Sequence, residues 1–167
     1  MKMLKKFYPD FIYKSVQDFE EDFFKKNNIK YVVLDIDNTL VPYTIETPTK
    51  PAVDFLRRLE SEGIRYCFLS NNNKKRVMIF NQNINAEFES NAKKPFIGGL
   101  KRIMKRIGAE KAETLIIGDQ IFTDVWTGKR AGIRSVLVDP IEDKETLFFK
   151  CKRALERIVL KSYNKNR

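Results

Sequence analysis

The sequence contains no histidine among its 167 residues. This absence excludes Ser-His-Asp and Cys-His catalysis, histidine-ligated zinc, and histidine as a general base. The two cysteines are too few for a disulfide framework, and Cys67 lies in an apolar run that predicts a buried thiol. We therefore expect a reducing, cytoplasmic environment. An enzyme built on this chain has to work with carboxylates, lysines, hydroxyls and a hard metal ion.

Long hydrophobic runs are also missing. No run of about 18 apolar residues occurs, so no membrane-spanning helix is predicted. The apolar stretch near the start breaks at Tyr8-Pro9-Asp10, so no secretory signal is predicted either. With 43% hydrophobic residues, the simplest interpretation is one globular domain over residues 1–167. The net charge of +10 favours an anionic partner, either nucleic acid or a membrane surface, and charge alone does not distinguish them.

Short apolar runs alternate with segments of helical periodicity. Strands are predicted at residues 31–36, 65–69, 86–89, 114–118 and 134–138. Helices are predicted at residues 14–26, 52–61, 97–107, 123–131 and 144–162. This alternation predicts an α/β fold of the Rossmann-like kind, in which helices flank an open, mainly parallel sheet.

Polar residues lie where the predicted strands end, which is where ligands bind in such sheets. The first strand is followed by Asp35, Asp37 and Thr39, the second by Ser70 and Asn71, and the fourth by Asp119 and Asp124; Lys94 stands at a helix start ahead of the fourth. Each of these alone is typical of a turn, a helix cap or a solvated surface. Together, three carboxylates on one rim repel each other unless a cation lies between them.

The residue types at this rim suit phosphoryl transfer. Carboxylate oxygens with waters suit Mg²⁺, and a hydroxyl, a helix start and the Lys94 ammonium suit a phosphate. One carboxylate can attack phosphorus to form an aspartyl-phosphate, while a second carries the proton. Catalysis of this kind consists mostly of positioning and charge neutralisation.

Four stretches, "DIDNTL", "SNNN", "KKP" and "GDQIFTD", resemble in order and spacing the motifs of the haloacid dehalogenase (HAD) superfamily of phosphatases. The resemblance extends from about residue 5 to 140. The Asn in the first motif and the "KPF" sequence are most similar to subfamily IIIA. Within it, the sequence resembles the YqeG-like bacterial proteins and the phosphatidylglycerophosphatase branch.

The resemblance implies roles for the carboxylates. Asp35 would be the nucleophile and a metal ligand. Asp37 would be the general acid and base, with its backbone carbonyl on Mg²⁺. Asp119 would be the direct acidic metal ligand, and Asp124 would support the metal shell or orient Lys94.

The resemblance also implies a phosphate site. Ser70 and Asn71 would hold the transferring phosphoryl group, Lys94 would neutralise it, and Thr39 would support the nucleophile loop. Asn38 replaces the glycine that is common at this position in the superfamily. Because an Asn side chain can cap the turn itself, we expect no loss of activity from this difference.

HAD enzymes usually carry a cap inserted after the first or second motif, and this sequence leaves no room for one. Residues 41–55 run quickly into the next helix, and residues 70–94 hold one helix and one short strand. An uncapped site is open to bulky substrates or borrows its lid from a partner. A phosphate on a large or surface-bound molecule is therefore favoured over a small metabolite.

The C-terminal segment, residues 144–167, is predicted to be a basic helix. Its last part, residues 146–167, has seven Lys/Arg and a single acid. The pattern favours a helix packed on the sheet with a solvated basic back, and it is also compatible with an amphipathic helix at an anionic membrane surface. The apolar residues predicted to fall near one face are Leu147, Phe148, Leu155, Ile158 and Val159.

Three functions remain open at this point. The preferred hypothesis is a Mg²⁺-dependent phosphatidylglycerophosphate phosphatase, cytoplasmic and peripheral at the inner face of the membrane. The alternative keeps the chemistry but changes the substrate to a nucleotide, a sugar phosphate or a nucleic-acid end. The third is a non-catalytic nucleic-acid or ribosome-associated protein with the same fold, against which the complete set of acids and lysine argues.

Overall fold

Six parallel strands form one sheet in the computed structural model, which describes residues 2–142 and 146–165, and their side chains except at residues 2, 3 and 147–149. The strands are β1 (Phe11–Tyr13), β2 (Tyr31–Leu34), β3 (Arg65–Leu69), β4 (Glu87–Glu89), β5 (Thr114–Gly118) and β6 (Arg134–Val138). They lie in the order β1-β6-β5-β2-β3-β4. The chain moves outward in opposite directions from β2 and from β5, so the gap between their ends is the switch point where ligands bind. The predicted open parallel α/β sheet is confirmed.

Helices cover both faces of the sheet. The α-helices are α1 (Phe23–Lys26), α2 (Lys50–Ser61), α3 (Lys74–Asn81), α4 (Gly98–Ile107), α5 (Trp126–Ala131) and α6 (Leu147–Lys165). Three 3₁₀ turns lie at Lys2–Phe7, Val16–Asp18 and Lys111–Glu113, and a π-helical turn at Ile121–Val125 precedes α5. The helix α4 stops at Gly108, whose φ of 67° is the left-handed conformation that glycine adopts without strain.

Alternate residues of each strand enter different hydrophobic layers. Val32 and Leu34 of β2 pack in the layer that contains α1, α2 and α3. Val33, between them, packs with α4 on the opposite face. Cys67 is fully buried in this second layer, and burial raises the pKa of its thiol to about 12, as expected of an inert core cysteine. Nearly continuous apolar strands are therefore explained by burial on both faces.

The predicted helix at residues 14–26 is wrong in its first two thirds. The edge strand β1, which was not predicted, ends at Tyr13, and the chain then forms the 3₁₀ turn at Val16–Asp18 before the short α1. The Ser15 hydroxyl accepts a hydrogen bond from Gln17 N and starts the tight turn. Phe19 and Phe23 are both buried and tilt against each other with ring centroids 4.8 Å apart. Aromatic packing, rather than helical periodicity, sets the path here.

The strand β2 ends at Leu34, two residues before its predicted end. The backbone then turns sharply, since Leu40 N donates to Ile36 O and Asn38 N donates to Val41 O. From Pro42 to Thr49 the chain crosses to α2 without a helix or strand. Between β3 and Lys94 there is one helix and one strand. Both of these connections, from β2 to α2 and from β3 to Lys94, are consistent with the expected absence of a cap domain.

The helix α6 packs on the fold through one side only. Glu156, Val159 and Tyr163 are buried, whereas Leu155 and Ile158 are more than half exposed. The predicted apolar face is therefore only partly buried, since Val159 packs on the fold while Leu155 and Ile158 do not. Parts of the predicted C-terminal helix lie outside the described residues. These parts are residues 144, 145, 166 and 167, and the side chains of Leu147 and Phe148. Among the described helices, none has the length and hydropathy needed to cross a bilayer.

Gly118, the last residue of β5, lies directly against a buried carboxylate. A Cβ atom at this position would come 2.2 Å from Asp124 Cγ. We expect Gly118→Ala to lower the free energy of unfolding by about 2 kcal/mol, because overpacking forces the Asp124 loop to move. Urea unfolding measures the change. The matched control is Gly98→Ala, whose Cβ would meet nothing closer than 3.5 Å; equal stability of the two variants would contradict this account.

Candidate active site

Lys94 is the centre of a buried charge cluster at the switch point. Its ammonium Nζ lies 2.6 Å from Asp35 Oδ1 and 2.6 Å from Asp124 Oδ1. Asp35 follows β2, Lys94 precedes α4, and Asp124 lies in the π-helical turn after β5. Each of the three side chains is less than a tenth exposed. Burying these charges is tolerable only because they compensate one another.

Three carboxylates converge beside this lysine. Asp35, Asp119 and Asp124 each place one oxygen within 4.8 Å of the others. Burial, together with repulsion from the neighbouring acids, raises the pKa of Asp35 to about 8 and that of Asp119 to about 6. Asp119 Oδ1 is buried and accepts no hydrogen bond from any described residue. An unpaired buried oxygen within a set of hard oxygen donors fits a divalent cation.

The second oxygen of Asp119 is held in place by α6. Arg153 Nη2 donates to Asp119 Oδ2 at 2.6 Å, while Arg153 Nη1 donates to the Asp119 backbone carbonyl at 2.7 Å. Glu156 braces the same loop, because it accepts from Arg153 Nη1 and from Ile121 N. The C-terminal helix therefore holds Asp119 through Oδ2 and the backbone carbonyl, and leaves Oδ1 without a hydrogen bond from the described residues. Nothing in the basic C-terminal pattern singled out Arg153 among its neighbouring cations.

Asp37 turns away from the other acids. Arg76 Nη2 lies 2.8 Å from Asp37 Oδ1, and Asn72 Nδ2 donates to Asp37 Oδ2 at 3.2 Å. Arg76 is itself buried and also donates to the carbonyls of Ile45 and Glu46. It thus connects the predicted proton carrier to the loop that enters α2. The sequence reasoning missed Arg76, since it stands in a run of three bases that is typical of a solvated helix start.

The predicted phosphate ligands lie at the same rim. Ser70 Oγ accepts a hydrogen bond from Asn72 N at 3.0 Å, which leaves its own hydrogen as a donor. The Asn71 amide forms two hydrogen bonds with the Lys94 backbone, at 3.1 Å and 2.6 Å. The Asn71 side chain therefore positions the lysine, and its contribution to a phosphate site reduces to the backbone N–H. Asn73 caps α3, as the SNNN stretch suggests.

Two residues of the first motif stabilise the turn around Asp35. Thr39 Oγ1 donates to Asp35 Oδ2 at 3.2 Å. Asn38 has a φ of 68°, which asparagine tolerates better than most residues. Its side chain exchanges hydrogen bonds with the Glu142 backbone at 2.8 Å and 2.7 Å. The asparagine thus replaces a glycine without strain and ties the turn to the loop after β6.

These side chains surround an open cleft of about 430 Å³. The cleft is lined by Asp35, Asp37, Tyr43, Ser70, Asn71, Asn72, Lys94, Gln120, Thr123 and Lys152. Lys152 comes from α6 and was not expected here; its ammonium donates to Gln120 Oε1. Burial lowers the pKa of Lys152. The cleft therefore combines carboxyl groups, a buried lysine and a hydroxyl donor.

Comparison with known proteins agrees with this geometry. The family profile described as HAD-hydrolase-like matches residues 91–145, a range that contains Lys94, Asp119 and Asp124. The probable phosphatase YqeG of Bacillus subtilis is 31% identical over 95% of this chain and 92% of its own length. The chain belongs to the HAD-like hydrolase family. The predicted enzyme class, a HAD-type phosphatase, is thereby confirmed.

Two further similarities are more distant. The phosphatidylglycerophosphate phosphatase 1 of Arabidopsis thaliana is 26% identical over 90% of this chain, which spans 46% of that plant protein. The crystal structure of a hydrolase from Streptococcus pneumoniae superposes with a TM-score of 0.56 and 15% identity, over 77% of this chain and 99% of its own. The latter likeness shows the fold alone.

The ion pair between Arg76 and Asp37 tests how strongly the site depends on compensated charge. We expect Arg76→Met to lower the free energy of unfolding by about 3 kcal/mol, because it leaves Asp37 buried without its cation. Urea unfolding measures the loss. The neighbouring exposed Lys75 has no ion pair among the described residues, so Lys75→Met is the control and should change stability by about 0.5 kcal/mol or less. Similar losses in both variants would contradict a special role for Arg76.

Proposed function

We propose that this HAD phosphatase is a Mg²⁺-dependent phosphomonoester hydrolase that works through an aspartyl-phosphate on Asp35 and acts on phosphatidylglycerophosphate. The observation that carries the chemistry is the buried cluster itself. Lys94 lies between Asp35 and Asp124, and Asp119, one of whose oxygens accepts no hydrogen bond from a described residue, belongs to the same carboxylate cluster. In such a site the Lys94 ammonium neutralises the charge of a bound phosphate, while the Asp35 carboxylate is close enough to react with it.

The first chemical step uses Asp35. One of its oxygens attacks phosphorus, and the bond from phosphorus to the leaving alcohol oxygen breaks. Asp37 donates the proton that this oxygen takes up. Lys94, Ser70 and the Asn71 backbone N–H hold the phosphoryl oxygens during the transfer. Asp35, Asp119 and the Asp37 backbone carbonyl would hold Mg²⁺, which would supply further neutralisation of phosphate charge.

The second step returns the enzyme to its starting state. A water attacks the phosphorus of the aspartyl-phosphate, and Asp37 takes the proton of that water. The bond from phosphorus to the Asp35 oxygen breaks and inorganic phosphate is released. Arg76 and Asn72 hold the Asp37 side chain at a fixed place during both transfers.

Three observations support a lipid substrate. The cleft has no lid in the described chain, so a bulky leaving group can enter. The similarity to the plant phosphatidylglycerophosphate phosphatase extends over most of this chain. In addition, α6 presents exposed Leu155 and Ile158 beside the exposed cation Arg157. An apolar strip next to basic groups suits the surface of an anionic membrane.

Phosphate release from a substrate panel tests the proposal. The panel contains phosphatidylglycerophosphate in mixed micelles, nucleotides, sugar phosphates and 3′- and 5′-phosphorylated oligonucleotides. We expect the lipid to be preferred and Asp35→Asn to lower kcat by at least about a thousandfold, because the nucleophile is gone. Chelation should abolish activity and Mg²⁺ should restore it.

The control for this panel is Asp54→Asn, the same change at an exposed residue of α2 that pairs with Lys50 on the surface. It should leave activity unchanged. Rapid hydrolysis of a soluble ester with none of the lipid would reject phosphatidylglycerophosphate as substrate. Phosphate release by Asp35→Asn at the wild-type rate would reject the aspartyl-phosphate mechanism.

Membrane association is measured separately by sedimentation with vesicles. We expect more binding to vesicles with phosphatidylglycerol than to phosphatidylcholine alone, and weaker binding at high salt. Ile158→Gln should weaken binding about threefold to tenfold, because a half-exposed apolar side chain no longer enters the interface. Met78→Gln, at an exposed methionine of α3, is the control. Equal effects of the two changes would argue against α6 as the contact surface.

A further inference from the structure

A second cavity adjoins the active cleft, between α6 and the carboxyl end of β6. Its volume is about 630 Å³, which is within the range of small-molecule sites. Tyr43 lines both the cavity and the cleft. Asp119 of the charge cluster and Asn38 of the turn after β2 also form part of the cavity wall. A molecule held in the cleft by its phosphate therefore has this cavity as its immediate neighbour.

This space, which we call the α6 cavity, has an apolar wall and a basic mouth. Ile121, Leu137 and Leu160 supply apolar surface. Lys150 and Arg157 lie in its lining, are exposed, and form no ion pair with any described residue. A site of this kind binds a group that carries both an anion and hydrocarbon.

The acidic residues of the lining do not cancel this preference. Asp119 and Glu156 are already paired with Arg153, at 2.6 Å and 2.8 Å. The third acid, Asp139, is exposed to solvent and is outnumbered by Lys150 and Arg157. The lining is formally balanced, with three acids against three bases, and the cations in it that form no ion pair with a described residue, and so are available to an anion, are Lys150 and Arg157.

We propose that the α6 cavity binds the part of the substrate beyond the reacting phosphate. Its chemical identity rests on the proposed function: this part of the substrate is a phosphodiester with the glycerol and the first carbons of its acyl chains. Lys150 and Arg157 pair with the phosphodiester, and the apolar wall receives the hydrocarbon. In this protein the C-terminal helix thus takes over the substrate selection that a cap provides elsewhere. The exposed Leu155 and Ile158 of α6 lie next to this mouth along the helix, so a lipid can reach it from a membrane surface.

A short-chain lipid separates this binding from membrane effects. Dihexanoyl phosphatidylglycerophosphate is used below its critical micelle concentration, with p-nitrophenyl phosphate as a substrate that lacks both groups. We expect Lys150→Gln/Arg157→Gln to lower the ratio of kcat/KM for the lipid to that for p-nitrophenyl phosphate about fivefold to tenfold, as for two partly exposed charge pairs. The loss should lie mainly in KM.

A matched variant controls for net charge. Lys101→Gln/Lys105→Gln removes two exposed lysines of α4 that form no ion pair with a described residue and do not line the cavity. This variant should leave the ratio unchanged. An unchanged ratio in Lys150→Gln/Arg157→Gln, with good hydrolysis of the lipid by the wild-type protein, would overturn the α6 cavity proposal and leave the proposed function standing.

Binding without turnover gives an independent measurement. Isothermal titration with dihexanoyl phosphatidylglycerol, which lacks the reacting phosphate, should show weaker binding to Lys150→Gln/Arg157→Gln than to the wild type or the α4 control. Deacylated glycerophosphoglycerol should bind less tightly than the short-chain lipid, because it cannot use the apolar wall. If the wild type binds dihexanoyl phosphatidylglycerol in this way but hydrolyses no lipid phosphate, the α6 cavity stands and the proposed substrate fails. Equal binding by all three proteins overturns the α6 cavity.

Discussion

The buried ammonium of Lys94 is the group that holds the rest of the site together. It lies 2.6 Å from both Asp35 and Asp124, and without it two carboxylates would be buried beside a third with no compensating charge. Burying charge costs several kcal/mol per ion unless partners and hydrogen bonds offset it. The position of this lysine is accordingly constrained, since both polar atoms of the Asn71 amide hold the Lys94 backbone.

The same principle organises the remaining acids, each of which has its own cation from a different helix. Arg76 of α3 pairs with Asp37, and Arg153 of α6 pairs with Asp119. Among the described residues, one buried side-chain oxygen, Asp119 Oδ1, is left without a hydrogen bond. The site is thus nearly neutralised by the protein itself, with one buried acceptor reserved for a cation. In the proposed mechanism this arrangement keeps Asp35 available for attack while the fold remains stable.

The C-terminal helix has more functions than its composition indicates. Its basic pattern favours a packed helix and is also compatible with a membrane-surface helix, and in the structure one side of the helix is packed while the other is exposed. One side braces the Asp119 loop through Arg153 and Glu156, while Leu155 and Ile158 remain exposed. A protein without a cap has to take substrate contacts from elsewhere in its fold. Here the element beside the cleft is α6, which also lines the neighbouring cavity.

Local sequence signals were enough to predict the parallel sheet and the rim at which Asp35, Asp37, Ser70, Lys94 and Asp119 lie. They sufficed because buried parallel strands are continuous apolar runs and their carboxyl ends must meet at one edge. They misjudged residues 14–26, where aromatic packing overrides helical periodicity. Three pairings became visible only in the folded chain: Asn71 with Lys94, Arg76 with Asp37, and Arg153 with Asp119. Each joins segments distant in the chain, and a lysine or arginine destined for a buried ion pair has the same local sequence surroundings as one that remains in solvent.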